Sequence, residues 1–416
     1  MPNLICCLIC LLAIGSLAMD GPNSKRIAAG RTHFLLINKE NEVTSFGYGD
    51  RGELGHGNIF HILDKEAPLK PIEIFKGKKP VAVEAGWGCS FVLLENGHIY
   101  SFGDNSRAQL GRNVGPLLHP GELEGLQNER LVEIAVGDHF GAALNDAGKV
   151  FVWGQYSQGQ PSELACLKGR AIRKLAAGER LLVIDSDGDL WSVSEVLGTK
   201  ELSCHRINEQ DPLSEKIEQV AAGFSHVVIL TKGGRVFSYG NNKHGQLGHG
   251  DYEQSMRPKE IMGLIDKKIV RVVAGDSFSA ALCANGEVWW FGQLRIERNS
   301  VYSAILPHPT LLEGVPSNIT DIAANFSSGT LFLVSNGTML IVGDPMEPAN
   351  WPKPELTDLY PKRIKGLRPG YWTKDNHLLQ GRQVRDAVFT MLILNTGHFK
   401  PNLPADVLFI IFGFLR

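Results

Sequence analysis

The sequence has no excess of basic residues. Its 416 residues include 42 Lys and Arg against 44 Asp and Glu, and no run of Lys and Arg is longer than two or three residues. A positive field over the whole protein, of the kind that attracts nucleic acid, is therefore not supported, although a local basic patch stays open. A membrane span is not supported either, because the apolar run at residues 4–18 is shorter than the roughly 20 residues that a span needs.

Signatures of catalysis and metal binding are missing as well. No Gly-rich phosphate loop leads into a helix, and no Gly-x-Ser-x-Gly nucleophile elbow occurs. The Cys-x-x-Cys spacing at residues 7–10 lies in the apolar run without partners, and Cys89 and Cys283 fall in predicted strands as small buried hydrophobes. We therefore expect no metal, no cofactor and no enzymatic activity, with a site assembled from separate repeats left open.

A repeated unit is what the sequence does contain. Residues 220–251 show three short apolar or aromatic runs separated by Gly-rich turns, which is typical of strands and hairpins. Copies begin near residues 27, 83, 134, 175, 220, 272 and 322, and a marker residue follows each first run. The seven markers are Gly30, Gly86, Gly137, Gly178, Gly223, Gly275 and Asn325. Successive markers are 41 to 56 residues apart, which predicts an all-β fold: a seven-bladed β-propeller with four-stranded antiparallel blades.

Spacers between the repeats supply the predicted outer strands. Several begin with proline and continue as a short apolar strand, as at residues 71–75, 258–264 and 309–312, and proline suits an edge strand. No spacer precedes the first repeat, whereas residues 361–367 follow the last repeat and match residues 258–264 in pattern. We therefore expect residues 361–367 to complete the first blade and close the ring.

The repeats resemble those of the regulator of chromosome condensation family. The motifs are AAGFSH at residues 221–226 and SYGNNKHGQLGHG at residues 238–250, with shorter loop copies at residues 52–57 and 109–111. The resemblance covers roughly residues 27–367, and the fourth and seventh units depart from the pattern. It implies a seven-bladed propeller that acts as a scaffold, as a ligase module or as a nucleotide-exchange factor for a small GTPase. A basic chromatin-binding tail is absent.

Two sets of polar residues stand out in the repeats. His33, His226, His56 and His249 recur at equivalent places, which predicts structural hydrogen bonds within each blade rather than catalysis. The segment at residues 185–189 is similar to a calcium loop, but Val196 stands where the distal glutamate belongs, so a hairpin turn is predicted. The loops at residues 48–58, 104–113, 155–160 and 241–251 should share one region, made positive by candidate partner-binding residues. These candidates, which would favour an acidic partner surface, are Arg51, Arg107, Arg112, Lys243 and His244.

Residues 1–26 differ from the repeats. The apolar run and the Ser-Leu-Ala at residues 16–18 fit a secretory signal peptide, although no positive charge precedes the run. An apolar segment packed beside the first blade, or a wrongly assigned start, is the alternative. Secretion would make Asn318 and Asn336 candidates for glycosylation, whereas Asn325 is expected to be buried.

Residues 368–416 are predicted to form a helical extension. Apolar residues recur at three- and four-residue steps within 376–395, and a second apolar helix is expected at 403–416. Residues 403–416 resemble the opening of an F-box or the end of a SOCS box, which dock ligase adaptors; packing on the propeller is the alternative. The candidate docking residues are Leu403, Pro404, Val407, Leu408, Ile411, Phe412 and Leu415.

These features favour a protein-interaction propeller, with a substrate-recognition or adaptor role in a ubiquitin ligase as one form of it. The alternatives are a guanine-nucleotide exchange factor and a secreted binding protein. The first two would place the chain in the cytoplasm or nucleus.

Overall fold

The computed structural model describes residues 25–38, 40–59, 70–113, 117–157, 159–196, 201–207, 215–295, 303–324, 331–335 and 338–342. The strands in these ranges form seven antiparallel sheets, numbered here in chain order. Sheets 2 to 6 have four strands each, and sheets 1 and 7 have three described strands each.

Every sheet is formed by consecutive strands of the chain. Sheet 1 contains β1 (Ile27–Ala29), β2 (His33–Ile37) and β3 (Val43–Gly47). Sheet 2 contains β4 (Pro80–Ala85), β5 (Cys89–Leu94), β6 (Ile99–Gly103) and β7 (Gly121–Glu122). Sheet 3 contains β8 (Leu131–Val136), β9 (Phe140–Asn145), β10 (Val150–Gly154) and β11 (Ser162–Glu163). Sheet 4 contains β12 (Ile172–Ala177), β13 (Leu181–Asp185), β14 (Leu190–Glu195) and β15 (Leu202–Arg206).

The remaining three sheets follow the same order. Sheet 5 contains β16 (Ile217–Ala222), β17 (His226–Thr231), β18 (Val236–Gly240) and β19 (Ser255–Glu260). Sheet 6 contains β20 (Ile269–Ala274), β21 (Phe278–Cys283), β22 (Val288–Arg295) and β23 (Ser303–Leu311). Sheet 7 contains β24 (Ile319–Ala324), β25 (Leu331–Ser335) and β26 (Thr338–Val342).

The first strand of each sheet faces the centre of the molecule. These inner strands, β1, β4, β8, β12, β16, β20 and β24, contact one another in turn, and β24 contacts β1. Side chains strengthen the contacts: Gln219 bonds both the N–H and the C=O of Val272 (3.0 and 2.9 Å), and Arg271 pairs with Asp321 at 2.7 Å. The inner strands therefore surround a central axis, as in a β-propeller.

The outer segment of each sheet pairs with the strand that precedes it. In six sheets one residue of the spacer donates its N–H to the first residue of the third strand, at 2.8–2.9 Å. The six donors are Ile72, Leu123, Leu164, Ile207, Ile261 and Leu312. In sheet 1 the acceptor is Val43, and Pro71 forms a bridge with Thr44.

The prediction that residues 361–367 complete the first blade is therefore wrong. The outer edge of β3 is already occupied by Pro71 and Ile72. The error came from assigning each spacer to the repeat after it, whereas a short connection makes pairing with the repeat before it the local choice. Residues 361–367 themselves lie outside the described residues.

The predicted fold class is confirmed in part: the protein is an all-β propeller with four-stranded antiparallel blades. Seven blades of four strands each are shown only in part, because sheets 1 and 7 have three described strands. Residues 1–24 of the predicted leader at residues 1–26 lie outside the described residues, as does the predicted helical extension at residues 368–416.

Apolar residues fill the spaces between neighbouring sheets. Between sheets 2 and 3, for example, Phe91 and Trp153 are fully buried with ring centroids 5.8 Å apart. Cys89 and Cys283 are free and buried in strands, which confirms their prediction.

A disulfide joins sheets 3 and 4, which the sequence analysis did not predict. It connects Cys166, in a 3-10 turn that follows β11, to Cys204 in β15, with the two Cα atoms 5.7 Å apart.

Candidate binding face

The marker glycines pack against one another around the axis. A β-carbon on Gly30 would lie 2.6 Å from the carbonyl oxygen of Gly86, and the next four markers show the same relation at 2.4–2.8 Å. Any side chain would collide with the backbone of the next sheet, so these positions require glycine for close approach. The markers therefore surround one opening of the axis, and we call that side of the propeller the mouth face.

The residue after each marker lies at this opening. These six residues, which we call the mouth residues, are Arg31, Trp87, Asp138, Glu179, Phe224 and Asp276. The backbone N–H groups of Arg31 and Phe224 donate to the carbonyl oxygens of Gly86 and Gly275, both at 3.2 Å, which fixes them beside the neighbouring sheet.

Three mouth residues are acidic, and two of them act on the third. The pKa of Asp138 is raised to about 6, mainly by burial and also by the carboxylates of Glu179 and Asp276, while the positive charge of Arg31 opposes the rise. These side chains come from sheets 1, 3, 4 and 6, so the opening is narrow enough for groups of different sheets to interact. Within the described part of the chain, Asp138 Oδ1 is buried and has no hydrogen-bond partner.

The other mouth residues add aromatic surface. The Arg31 guanidinium lies 3.7 Å from the centroid of the Trp87 ring, a cation–π contact, and the Trp87 and His139 rings are 6.2 Å apart. Phe224 is 42% exposed and adds a large apolar ring to this surface. The mouth therefore combines three acids with aromatic rings and an arginine, and the last two are enriched in protein–protein interfaces.

The predicted loops border the same opening. The first residue of each loop bonds the turn after a marker glycine: Tyr48 N–H to Thr32 O and Asp104 N–H to Gly88 O, at 2.9 and 2.8 Å. Arg51 pairs with Asp104 across sheets 1 and 2. The pKa of His139 is lowered mainly by burial, and the positive charges of Arg107 and Arg51 lower it as well. Both arginines therefore lie beside the mouth. Arg107 is exposed.

Arg112 does not fit the prediction. Its side chain is buried, and its guanidinium donates to the hydroxyl and carbonyl of Ser101 (3.2 and 3.1 Å) and to the carbonyl of His119 (3.1 Å). These bonds hold the 104–113 loop on sheet 2, so Arg112 is a structural residue and is not available to a partner.

Lys243 and His244 lie on the same face but in another sector. They follow β18 in sheet 5, where Lys243 is exposed and the His244 N–H donates to Gln246 Oε1 at 2.9 Å. The five predicted residues therefore do not form one positive cluster. The carboxylates of Asp138, Glu179 and Asp276 at the centre lie outside the loops and were not predicted.

The four recurrent histidines do make structural hydrogen bonds. His33 Nε2 and His226 Nε2 lie 2.8 Å from the hydroxyls of Ser90 and Ser279 in the following sheet. His56 and His249 bond the hydroxyls of Ser45 and Ser238 at 3.1 and 2.9 Å. The prediction is confirmed, with one correction: His33 and His226 connect neighbouring sheets instead of acting within one.

The segment at residues 185–189 forms the predicted hairpin turn. Asp185 Oδ1 accepts the N–H groups of Asp187 and Asp189, and its Oδ2 accepts Trp191 Nε1 at 2.8 Å. Among the described residues, no group of three or more His, Cys, Asp or Glu could hold a metal ion. Within the same part of the chain no helix has the length and apolar character to cross a bilayer.

Sequence reasoning missed the mouth residues themselves. Their types vary from repeat to repeat, so a search for recurring residues passes over them. The signal that could have found them is positional, since each one directly follows a marker glycine.

Taken together, the fold and this face define a repeat propeller whose exposed loops and axial opening offer surfaces for binding. The chain belongs to the RCC1-like domain family, whose model matches residues 16–347.

Known relatives agree with this assignment. The ultraviolet-B receptor UVR8 of Arabidopsis thaliana is 29% identical over 298 residues, which cover 66% of this chain and 67% of UVR8. The human E3 ubiquitin-protein ligase HERC2 is 29% identical over 280 residues, which cover 62% of this chain but only 6% of HERC2. The solved structure of Prp20p from Saccharomyces cerevisiae superposes with a TM-score of 0.60 at 20% identity, covering 76% of this chain and 81% of that one.

Proposed function

We propose that this protein is a non-enzymatic interaction propeller that binds a protein partner on its mouth face. The observation that carries the proposal is the convergence of six side chains from six sheets on one opening, among them the exposed Phe224. Aromatic residues next to charged groups are the residues that anchor most protein interfaces. The partner envisaged from the loops alone was an acidic surface, but the acidic mouth residues favour a partner of mixed charge.

A photo-crosslinking comparison tests this proposal. A photoreactive phenylalanine analogue replaces Phe224 in one variant and Met256 in a matched control. Both belong to the sheet 5 repeat, but Met256, 82% exposed, lies on the outer strand β19. We expect discrete protein adducts in cell extract from position 224 and none of them from position 256. Equal adducts at both positions, or adducts at 256 alone, would contradict binding at the mouth.

A second candidate function is nucleotide exchange on a small GTPase. The fold is that of Prp20p, whose structure is described together with its binding to Gsp1p and histones. Release of labelled GDP from a panel of small GTPases tests it. Acceleration that disappears in a Phe224→Ala variant would support this function, and an unchanged release rate for every GTPase would count against it.

The ubiquitin-ligase role rests on the sequence of residues 403–416, which lie outside the described residues. HERC2 is a ligase, but it matches this chain over a small part of its length. Loss of adaptor binding on Leu408→Asp and Phe412→Asp substitution would support the role, whereas no binding by the unchanged chain would remove it.

Localisation in the cytoplasm or nucleus is proposed together with these functions, and secretion is the alternative. The disulfide between Cys166 and Cys204 and the exposed position of Asn318 favour secretion, since disulfides persist in oxidising compartments. Peptide mass mapping of the native protein decides between them: a bridged Cys166–Cys204 peptide with a glycan on Asn318 indicates secretion, and two free thiols indicate the cytoplasm or nucleus.

A further inference from the structure

The face opposite the mouth has its own recurrent feature. In sheets 2 to 7 the residue seven positions before the marker lies just ahead of the inner strand. In five sheets its carbonyl oxygen accepts an N–H from the turn between the second and third strands, at 2.8–3.0 Å. These five residues therefore occupy equivalent places around the second opening of the axis, on what we call the far face.

Four of these equivalent residues are basic and exposed. They are Lys79, Arg130, Lys216 and Lys268, from sheets 2, 3, 5 and 6, and we call them the basic collar. The fifth position, in sheet 4, is Ala171, and the corresponding residue in sheet 7 is Asn318. The marker spacing of the sequence therefore arranges positive charge around one opening, although the whole chain is close to neutral.

Neighbouring residues show that the collar is not needed to hold the sheets together. Lys78 and Lys267, each directly before a collar lysine, lie 4.3 and 4.4 Å from the ring centroids of Tyr100 and Trp289. In sheets 3 and 5 a glutamate takes that place: Glu129 accepts from Asn145 at 2.7 Å and Glu215 from Thr231 at 2.6 Å. The residue before the collar thus makes the internal contact, and the collar side chain points to solvent.

Counter-charges near the collar are weakly held. Glu95 lies 3.0 Å from Lys79, but the two side chains are 62% and 75% exposed, and such surface pairs contribute little. Glu218 is exposed two residues after Lys216. A carboxylate brought by a partner can therefore replace Glu95 without a large loss.

Exposed apolar residues accompany the collar. Val270 is 50% exposed two residues after Lys268, and Ile265 is 47% exposed three residues before it. The aromatic rings nearest the collar, Tyr100 and Trp289, are covered by lysines and offer no stacking surface for bases. This combination fits a protein segment with acidic and apolar side chains better than a nucleic acid.

We propose that the basic collar on the far face is a second binding surface, which docks an acidic protein segment carrying apolar side chains. Carboxylates of the segment pair with Lys79, Arg130, Lys216 and Lys268 around the opening, and its apolar side chains contact Val270 and Ile265. The surface is separate from the mouth, so the propeller can hold two partners on opposite faces.

The test uses the full chain and a fluorescent 20-residue peptide of alternating Glu-Glu and Leu-Leu pairs. We expect saturable binding that weakens with salt, and at least about a tenfold weaker affinity for the variant with all four collar residues changed to Glu. The control, Arg107→Glu with Lys243→Glu, reverses two positive charges on the mouth face, half as many as the collar variant, and should bind the peptide unchanged. A Phe224→Ala variant should also bind it unchanged, which separates this result from any failure of the proposed function.

Three outcomes would overturn the proposal. They are equal peptide binding by the collar variant, an equal loss in the mouth control, and tighter binding of a single-stranded oligonucleotide with the same charge. If the Glu variant is not folded by circular dichroism, the same four positions are changed to Gln, which removes the charge and keeps the size. Binding by that folded variant equal to the unchanged protein would likewise overturn the proposal.

Discussion

Two kinds of contact join neighbouring sheets near the mouth face. Between sheets 1 and 2, and between sheets 5 and 6, a buried histidine contacts a serine hydroxyl, which donates to a loop carbonyl: Ser90 to Glu53 and Ser279 to Gln246, at 2.7 and 2.8 Å. Between sheets 2 and 3 the equivalent carbonyl, that of Gln109, instead accepts Trp153 Nε1 at 2.8 Å.

The difference follows from one pair of facing residues. Ser90 and Ser279 stand opposite Phe102 and Phe291 on the next strand, whereas Trp153 stands opposite Gly141. A β-carbon on Gly141 would lie 2.2 Å from the indole ring, so the larger ring requires the glycine. The buried loop carbonyl therefore needs a hydrogen-bond donor, but the residue that supplies the donor can differ if the residue opposite it differs too.

Acid should weaken the histidine contacts and leave the tryptophan contact intact. Burial lowers the pKa of His33 to about 3 and that of His226 to about 4. Below pH 6.5, the ordinary pKa of histidine, these imidazoles bind protons in the unfolded chain but not in the folded chain. The stability that the neutral histidines contribute is therefore present above pH 6.5 and falls as the pH decreases. Between pH 7 and pH 5 we expect a loss of about 2 kcal/mol for each histidine, or about 4 kcal/mol for both.

The measurement is the apparent free energy of unfolding in urea across this pH range. Other groups also titrate, so the quantity to compare is the difference between the unchanged protein and a His33→Asn, His226→Asn variant. Between pH 7 and pH 5, the free energy of unfolding of the variant should fall by about 4 kcal/mol less than that of the unchanged protein. An identical pH profile for both proteins would contradict the assignment of neutral, buried imidazoles.

Introducing serine at position 141 should destabilise the protein unless Trp153 is replaced by a smaller ring as well. Gly141→Ser places its β-carbon within the Trp153 ring, and we expect a loss of about 3 kcal/mol from overpacking. The double variant Gly141→Ser, Trp153→Phe recreates the pair of sheets 2 and 6 and should recover most of that loss. Urea unfolding of both single variants and the double variant gives the coupling free energy; additive losses would show that the two residues do not compensate each other.

The smallest expected effect concerns the loop residue whose carbonyl accepts from Ser90. Glu53 is 2% exposed, and burial raises the pKa of its carboxyl to about 7, with Asp50 adding to the rise. At the equivalent positions Gln109 and Gln246, the side-chain Oε1 accepts the backbone N–H of the residue two positions earlier, without a charge.

Glu53→Gln should therefore stabilise the protein. A raised carboxyl pKa means that stability is lost as the pH rises from 4.5 through 7, because the folded chain then holds a buried charge. We expect the gain in stability to be about 2 kcal/mol larger at pH 8 than at pH 5. Urea unfolding at both values checks it, and a gain of the same size at pH 5 would point to packing instead of charge.

The sequence was sufficient for features that recur and insufficient for those that vary. The marker glycines, the hairpins and the histidine bonds were predictable because each repeats the same local physics at a regular spacing. The mouth was not, because its character comes from one varying position per repeat that only the ring brings together. The bridge between Cys166 and Cys204 escaped prediction for a similar reason, since neither cysteine stands at a recurring position in its repeat.

The pairing of each outer segment with the strand before it has a genetic consequence. For sheets 1 to 6, one uninterrupted stretch of chain supplies all the strands of one sheet. The boundary of a duplicated or deleted segment can fall in a connection between sheets and leave every backbone ladder whole. Such a chain can gain or lose a unit during evolution without passing through an intermediate that exposes an unpaired edge.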